Sequence, residues 1–284
     1  GMNKIDLHVH STESDGTFTP SELVSYALEK GLSAIALTDH DTVKGIETAE
    51  KAAKGTSLFL VPGVELSVEY QQGDIHILGL FIDYKSKLLL EYLERFKRTR
   101  DTRNKKMAAA LSNCGMEISI EEMQAEYADA VLTRAHFARM LMKKGYVGSY
   151  REAFDRFLGD GKPCYVEREK ITPKEAIELI HQAKGLAILA HPLLYHMGEQ
   201  ELKKLIVQCK SDGLDGLEAI YSMNNGAEER QMKELAAEFG LAISGGSDFH
   251  GATKPHIDLG IGRGNLLIPE EVLLNLKKLL YNGI

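Results

Sequence analysis

The sequence predicts an α/β fold, and it favours a barrel over an open sheet. Short apolar segments alternate with amphipathic helical segments, which is the pattern of parallel βαβ units with right-handed crossovers. We count about seven strands, several of them followed by polar clusters. Barrel strands bring such clusters together at one mouth, whereas an open sheet gathers ligands at one switch point. A distorted (β/α)7 barrel is therefore expected, with a doubly wound open sheet as the alternative.

Composition sets limits on the class of protein. The chain has 284 residues, of which 44% are hydrophobic and 26% charged, as in ordinary globular proteins. No apolar run approaches the roughly 18 residues of a membrane helix, and no leader is evident, so we expect a cytoplasmic protein without membrane partners. Three scattered cysteines argue against a disulfide framework or a zinc ribbon. The net charge of −7 disfavours double-stranded DNA but allows a local basic pocket for a small anion.

The first part of the chain contains four predicted strands and two helices. Thr19 is a predicted N-cap, with Glu22 three residues later and Pro20 at the first helical position. That helix should run over 20–30 and stop at Gly31. A second helix is predicted over 43–54, and the strands are predicted over 5–9, 34–37, 58–61 and 74–80.

A polar helical region then interrupts the alternation. Helices are predicted over 87–112, 119–127, 133–144 and 149–158, followed by a strong break at 159–163. We interpret 86–170 as a helical insertion, or cap, and 2–85 with 171–284 as the barrel. The remaining barrel helices are predicted over 173–184, 199–211, 226–239 and 269–281, and the strands over 186–190, 214–219 and 241–244.

Histidines and carboxylates follow the predicted strands. His8 and His10 are two residues apart on a strand and should point to the same side. A single histidine of this kind would be interpreted as a hydrogen-bonded structural residue. Chance, however, rarely places so many His, Asp and Glu residues at the ends of strands. Mixed imidazole and carboxylate ligands suit Mn²⁺, Fe²⁺ or Zn²⁺ better than Ca²⁺ or structural zinc, and this many ligands imply two to three ions bridged by a carboxylate such as Glu65. The candidate ligands are His8, His10, Asp15, His40, Glu65, His76, His191, Asp248 and His250.

The motifs DLHVHS, TDHD, GVE, DIHILG, LAHP and GGSDFHG resemble those of the PHP (polymerase and histidinol phosphatase) phosphoesterases. The resemblance implies a distorted (β/α)7 barrel of TIM-like, PHP type and a trinuclear centre, with Mn expected and Fe or Zn as alternatives. It also implies catalytic roles for Asp15, His191 and His250, and a role for Asp39 in orienting a ligand histidine. The implied metal sites are His8, His10, Glu65 and Asp248; Asp15, His40 and His250; and Glu65, His76 and His191.

The cap is similar to one subgroup, the stand-alone PHP proteins. The similarity is carried by RTRDTRN (98–104), TRAHFAR (133–139), EAFDRFLGDGKPCYV (152–166) and KPHIDLG (254–260). Members of that subgroup hydrolyse nucleoside 3′,5′-bisphosphates, and some degrade short RNA from the 5′ end. The implied partner is therefore a small phosphorylated nucleotide or a short RNA 5′ end.

Basic side chains of the cap are candidates for phosphate binding, because arginine offers bidentate contacts to phosphate. The alternative for those on the long helix is a solvated face paired with acids. His256, in the loop after Asp248, is expected either at the site or on the surface. Glu218 is expected either to hydrogen-bond a metal ligand or to be a buried structural residue. The predicted substrate contacts are Arg100, Arg103, Arg134, His136 and His256, with Lys106 on the same helix face as the first two.

Three functions compete at this stage. The first is a metal-dependent phosphatase acting on the 3′-phosphate of a nucleoside 3′,5′-bisphosphate, with 5′-to-3′ exoribonuclease activity on short RNA. The second is a phosphatase of another small monoester, such as histidinol phosphate. The third is an inactive metal-binding regulatory module, against which the complete set of candidate ligands argues.

Overall fold

The computed structural model describes residues 3–71 and 73–282. Its seven strands form one sheet in chain order. The strands are β1 (Ile5–Val9), β2 (Ala34–Leu37), β3 (Phe59–Tyr70), β4 (Gly73–Leu80), β5 (Leu186–Leu189), β6 (Gly216–Tyr221) and β7 (Ala242–Gly246). Residue 2 and residues 283 and 284, which the sequence analysis assigned to the barrel, lie outside the described residues.

The helices lie between the strands, close to the predicted ranges. The predicted capping box of the first helix is present, with Thr19 and Glu22 bonded to each other's backbone N–H. The helices are α1 (Pro20–Glu29), α2 (Ile46–Ala53), α3 (Lys87–Asn113), α4 (Ile120–Glu126), α5 (Arg134–Lys143), α6 (Tyr150–Ala153) continued by a π-helical turn over Phe154–Leu158, α7 (Pro173–Gln182), α8 (Glu199–Ser211), α9 (Gly226–Glu238) and α10 (Glu270–Asn282).

The sheet departs at β4 from the parallel βαβ units that the alternation of strands and helices predicts. This strand is antiparallel to both β3 and β5, whereas the other paired neighbours are parallel. Only two residues separate β3 from β4, which is enough for a hairpin but not for the crossover that a parallel strand needs. His76 therefore lies inside a strand, opposite Ser67, and not at the carboxyl end of a parallel strand.

The third strand is also longer than predicted. Parallel pairing with β2 ends at Pro62, and from Gly63 onward the same strand pairs with β4. The exchange of partner lets the strand continue past the proline, where a break was expected. A Cβ at position 63 would lie 2.9 Å from the carbonyl oxygen of Gly79, so only glycine fits this crossing. As a result Glu65 stands inside β3, bridged to His40 on the neighbouring segment.

A bulge in β1 aims the first two histidines. Between the pairs Asp6–Ile35 and Val9–Leu37, two residues of β1 face one residue of β2. The extra residue reverses the side-chain alternation within the strand. Leu7 belongs to the apolar cluster inside the barrel, and Val9 to the cluster outside it. His8 and His10 both point into the mouth, with ring centroids 5.3 Å apart.

Among the described residues, the backbone hydrogen bonds that close the sheet lie at its carboxyl end. The N–H of Asp248 donates to the carbonyl of His8 (2.8 Å), and the N–H of His10 donates to the carbonyl of Phe249 (3.0 Å). These two bonds join β1 to the segment just after β7. The sheet is thus a nearly closed seven-stranded barrel, and its closure lies among the candidate ligands.

The insertion between β4 and β5 has an apolar cluster of its own. Met107, Phe137 and Leu141 are central to it and fully buried. The first turns of α3 instead pack against the outside of the barrel, through Leu89 and Phe96. The predicted division at residue 86 therefore falls at a helix that contributes to both clusters. Among the described helices, none is long and apolar enough to cross a membrane.

We predict that replacing Gly246 by Ala lowers the free energy of unfolding by about 1–3 kcal/mol. The new Cβ would lie 2.2 Å from Cβ of His8 and close to its backbone, neither of which can move without disturbing the barrel closure. Chemical denaturation measures the effect. Gly226→Ala is the control, because the nearest atom to its Cβ would be the flexible end of Arg230, 3.5 Å away. Equal stability of the two variants would contradict the packing argument.

Candidate metal centre

The mouth of the barrel gathers all nine candidate ligands. They fall into three groups, and within each group the donor atoms lie within 4.8 Å of one another. The groups are His8, His10, Glu65 and Asp248; His10, Asp15, His40 and His250; and Glu65, His76 and His191. They match the three sites implied by the sequence, except that His10 also reaches the second group.

In the first group, two imidazoles face two carboxylates. Nε2 of His8 lies 3.3 Å from Oε1 of Glu65 and 3.2 Å from Oδ1 of Asp248. Nε2 of His10 lies 3.2 Å and 3.0 Å from the same two oxygens. Four donor atoms thus converge on one point, as a tetrahedral or octahedral cation needs.

The second and third groups flank the first. Asp15 is central to the second, with Oδ1 3.1 Å from Nε2 of His250 and Oδ2 3.5 Å from Nε2 of His40. In the third, Oε2 of Glu65 lies 3.0 Å from Nδ1 of His76 and 3.4 Å from Nε2 of His191. Glu65 therefore presents one oxygen to the first group and the other to the third, which is the arrangement of a bridging ligand.

The protonation of Glu65 suits this arrangement. Burial alone would raise the pKa of its carboxyl, but the charges of His8, His76 and His40 outweigh burial and hold the pKa well below its usual range. Glu65 is consequently ionised at neutral pH. An ionised, fully buried carboxylate needs cationic partners, and a divalent ion is the strongest of them.

Several donor atoms at the centre lack a hydrogen-bond partner. Within residues 3–71 and 73–282, this holds for both ring nitrogens of His10, Oδ1 of Asp15, Oε2 of Glu65 and Nδ1 of His191, all of them buried. Buried polar atoms are nearly always satisfied, so this concentration calls for a group that the protein itself does not supply. Divalent cations fit the donor set.

Hydrogen bonds to neighbouring groups determine which ring nitrogen of a candidate ligand histidine faces the centre. Glu218 accepts from Nδ1 of His8 (2.8 Å) and from the backbone N–H of His191 (2.9 Å), so it supports two candidate ligands at once. Nδ1 of His250 lies 2.7 Å from the carbonyl of Asp248, which leaves Nε2 for Asp15. Of the two roles considered for Glu218, the geometry matches the supporting one.

Asp39 acts on a loop and not on a histidine ring. It accepts from the backbone N–H of Ser11 (2.7 Å), from the Ser11 hydroxyl (2.6 Å) and from the Ser14 hydroxyl (2.5 Å). Asp39 therefore reaches the candidate ligand His10 through Ser11, the next residue, and its role in orienting a ligand histidine stays a prediction. Since Asp15 follows this loop, Asp39 sets the position of that ligand indirectly.

Two candidate ligands have strained backbones. His191 has φ 29° and Asp248 has φ 62°, a region that residues with a side chain rarely adopt. Each such residue costs about 1–3 kcal/mol and persists only when its surroundings hold it. The bond from the His191 N–H to Glu218 and the bond from the Tyr221 hydroxyl to Asp248 (2.6 Å) supply part of that hold. Such strain is typical of functional sites.

A cavity of about 250 Å³ separates the centre from the cap. Asp15, His40 and His76 form part of its floor, whereas His191 and His250 are buried outside its lining. The cap side carries positive charge and aromatic rings. Those residues are Arg100, Arg103, Arg134, Arg168, Lys170, Tyr150, Phe154 and Tyr165. The sequence analysis singled out only the first three of them.

Arg103 faces the cavity without a counter-charge. Within the described residues, its Nη2 is buried without a hydrogen-bond partner, and its Nε donates only to the neutral side chain of Asn104 (2.9 Å). Burial, and then the charges of Arg100, Arg168 and Arg134, lower the pKa of its guanidinium. An anion in the cavity would relieve this cost.

Arg134 and Arg100 are already engaged by the protein. Arg134 donates to the carbonyl of Leu158 (3.0 Å) and lies against the ring of Tyr165. Arg100 is buried and donates to Asp41 through Nε (3.1 Å) and Nη2 (2.7 Å). It is thus neither the solvated helix residue of the alternative interpretation nor a free cation.

Three other predictions find no support in the cavity. Nδ1 of His136 accepts from the N–H of Thr133 (2.9 Å) at the start of α5, and burial lowers the pKa of the ring to about 4, so it is neutral. It is absent from the cavity lining, as is His256, which is exposed. Lys106 is exposed as well. Lys106 therefore does not join Arg100 and Arg103 at the cavity, although their spacing of three predicted one shared helix face.

We predict that Mn²⁺ raises the melting temperature of metal-free protein, because the ions bind only the folded centre. Saturation at 100 times the dissociation constant would add about 2.7 kcal/mol. Glu65→Gln should lose most of this shift, since both groups that share Glu65 are weakened. Glu175→Gln, at an exposed helix cap, is the control. A wild-type melting curve unchanged by Mn²⁺ would contradict a metal centre.

Comparison with known proteins agrees with this geometry. The PHP domain model matches residues 6–238. The chain is 41% identical over 247 residues to a 5′-3′ exoribonuclease of Haemophilus influenzae, covering 87% of this chain and 90% of the relative. It is 33% identical over 261 residues to a 3′,5′-nucleoside bisphosphate phosphatase of Chromobacterium violaceum, covering 91% of each.

A solved structure of a proposed metal-dependent phosphoesterase from Bifidobacterium adolescentis superposes with a TM-score of 0.86 at 26% identity, covering 96% of this chain and 95% of that one. The family match covers the cap and the barrel as far as α9, and the structural neighbour together with the strand order confirms the expected distorted barrel. This chain belongs to the PHP domain family of metal-dependent phosphoesterases.

Proposed function

We propose that this chain hydrolyses the 3′-phosphate of nucleoside 3′,5′-bisphosphates and also releases nucleotides from the 5′ end of short RNA. The observation that carries the proposal is a single cavity with three of the nine candidate ligands on its floor, the other six behind them, and an uncompensated arginine on its wall. One end suits a reacting phosphate and the other suits a second phosphate on the same molecule. The relatives named as a bisphosphate phosphatase and an exoribonuclease support this choice.

The two reactions share one bond. In the bisphosphate, water attacks phosphorus, the bond from phosphorus to O3′ breaks, and the ribose oxygen leaves with a proton. In RNA the corresponding bond joins the first nucleotide to the second, so the products are a nucleoside 5′-monophosphate and a shortened chain. The 5′-phosphate lies on the far side of the same ribose in both cases. A site that binds this phosphate and cleaves at O3′ therefore accepts both substrates.

We infer that two to three divalent ions occupy the centre, with Mn²⁺ first and Fe²⁺ or Zn²⁺ as alternatives. Such ions would lower the pKa of water and neutralise the phosphoryl oxygens. The nine side chains of the three groups would hold them. Asp15 lines the cavity floor, whereas His191 and His250 lie behind the floor. We therefore propose that the two histidines act by holding the ions and not by direct contact with substrate.

Arg103 is the proposed contact to the second phosphate, and Arg134 lines the same cavity. A guanidinium gives a phosphate two parallel hydrogen bonds, which a single ammonium cannot. Its burial strengthens the attraction, because little water competes inside the cavity.

A substrate panel tests the function. Phosphate release is measured with Mn²⁺ and again with a chelator, using adenosine 3′,5′-bisphosphate, AMP, 3′-AMP and histidinol phosphate. For a 5′-phosphorylated RNA trimer, nucleotide release is measured under the same two conditions. We expect Mn²⁺-dependent turnover of the bisphosphate, and of the trimer as nucleotide release, well above that of AMP and histidinol phosphate. Faster turnover of histidinol phosphate would contradict the proposal and favour another small monoester. No turnover of any compound by metal-loaded protein would contradict it as well.

A second prediction isolates Arg103. Arg103→Gln should raise KM for the bisphosphate by roughly ten- to a hundredfold, because a hydrogen-bonded charge contact is worth about 1.5–3 kcal/mol. The same variant should leave 3′-AMP turnover nearly unchanged, since that compound lacks the 5′-phosphate. Steady-state kinetics with both substrates make the comparison. Arg98→Gln on the exposed face of α3 is the control. Equal losses with both substrates would place Arg103 at the reacting phosphate instead.

A further inference from the structure

Asp41 lies where the metal centre meets the cap. It directly follows the candidate ligand His40, and its backbone N–H donates to the carbonyl of Glu65 (3.0 Å). Its own φ is 51°, and its side chain is almost completely buried. The backbone of this residue is therefore tied to two candidate ligands, and its carboxylate is free to point toward the cap.

The carboxylate holds two cap segments at once. Oδ2 accepts from Nε (3.1 Å) and Nη2 (2.7 Å) of Arg100 on α3. The same oxygen accepts from Nη2 of Arg168 (3.0 Å), on the chain that returns from the cap to the barrel. Oδ1 lies 3.4 Å from the backbone N–H of Ser67 in β3. One acid thus joins both ends of the cap to the strand that carries Glu65.

The charges around the cavity show why this acid matters. Arg100, Arg103 and Arg168 all line the cavity and their side chains are nearly or fully buried. Three buried guanidiniums at close range repel one another. Asp41 compensates two of them and leaves Arg103 alone without an anion. The acid therefore decides which arginine is available to a ligand.

We propose that Asp41 is a positioning residue that fixes the cap arginines relative to the metal centre, and thereby selects substrates whose second phosphate lies at the correct distance from the reacting one. The inference rests on the proposed function and adds a specificity determinant to it. Asp41 touches no substrate in this account. It acts by holding Arg100 and Arg168 in the wall, so that Arg103 meets the second phosphate at a fixed place.

A different role for the same contacts predicts the opposite result. If Asp41 only competes with phosphate for the arginines, its removal frees two cations and tightens phosphate binding. Positioning predicts weaker and less selective binding, because the uncompensated arginines move apart. The two roles also differ for Asp41→Glu, which keeps the charge but moves it by one methylene.

The experiment compares Asp41→Asn and Asp41→Glu with Asp215→Asn. Asp215 is a suitable control because it also holds two partners, Nε2 of His181 (2.8 Å) and the N–H of Ala187 (2.8 Å), at the opposite end of β5. KM and kcat are measured for adenosine 3′,5′-bisphosphate and for 3′-AMP. Binding of the bisphosphate to metal-free protein is measured by calorimetry, and the Mn²⁺-induced rise in melting temperature reports the metal centre.

We expect both Asp41 variants to raise KM and the calorimetric Kd for the bisphosphate by roughly ten- to a hundredfold, the scale of a misplacement near 1 Å. Their 3′-AMP kinetics and Mn²⁺ response should stay within about twofold of wild type, as should all values for Asp215→Asn.

Four results would overturn the inference: unchanged bisphosphate affinity, tighter affinity in Asp41→Asn, wild-type behaviour of Asp41→Glu, or equal losses on both substrates together with a lost Mn²⁺ response. Failure of wild-type protein to hydrolyse the bisphosphate would instead refute the proposed function, and the calorimetric comparison would still judge Asp41. If Asp41→Asn does not fold, Asp41→Glu alone decides between positioning and charge.

Discussion

The centre depends on one buried carboxylate, that of Glu65. Its two oxygens face two different groups of histidines, so a single side chain sets the distance between two neighbouring groups of candidate ligands. Such a residue needs a backbone that cannot drift, and it lies within β3, paired on both sides. A carboxylate on a flexible loop could not hold two groups at a fixed separation. The rest of the fold places histidines around this point.

Local departures from regular structure achieve that placement. The bulge in β1 turns His8 and His10 into the mouth, and the β3–β4 hairpin brings His76 beside Glu65. Left-handed backbone at His191 and Asp248 aims the remaining ligands of the first and third groups. Each of these devices acts on a candidate ligand. The left-handed backbone among them costs stability, as is common at functional sites.

The cap supplies charge that the barrel lacks. The chain is acidic overall, with a net charge of −7, yet five positively charged side chains line one cavity. Their mutual repulsion is tolerated because Asp41 compensates two of them and because the cap has its own apolar cluster to hold it in shape. Two acidic side chains, Asp15 and Asp74, also line the cavity, so basic groups outnumber acidic ones there although the chain as a whole is acidic. This arrangement attracts a small anion without making the whole surface basic.

The sequence by itself determined the elements and the candidate ligands, because both depend on local information. Apolar periodicity located the strands, and the capping pair Thr19 and Glu22 placed a helix start. Motifs of histidine and carboxylate after the strands gave the ligand set, which the structure brings together in three groups. Spacing along α3 grouped Arg100, Arg103 and Lys106, of which the first two line the cavity and the third is exposed.

Only the tertiary structure decided how those pieces act. The short connection between β3 and β4 makes β4 antiparallel to both of its neighbours in the sheet. Asp39 holds a loop because the fold brings serines of that loop within hydrogen-bond distance of its carboxylate. The separate fates of Arg100 and Arg103 depend on Asp41, which is 59 residues away from Arg100 in the chain. Arg168 and Lys170 line the cavity although they lie outside the motif at 152–166 that precedes them. The physical reason is that charge compensation and burial are set by neighbours in space, and those neighbours come from distant parts of the chain.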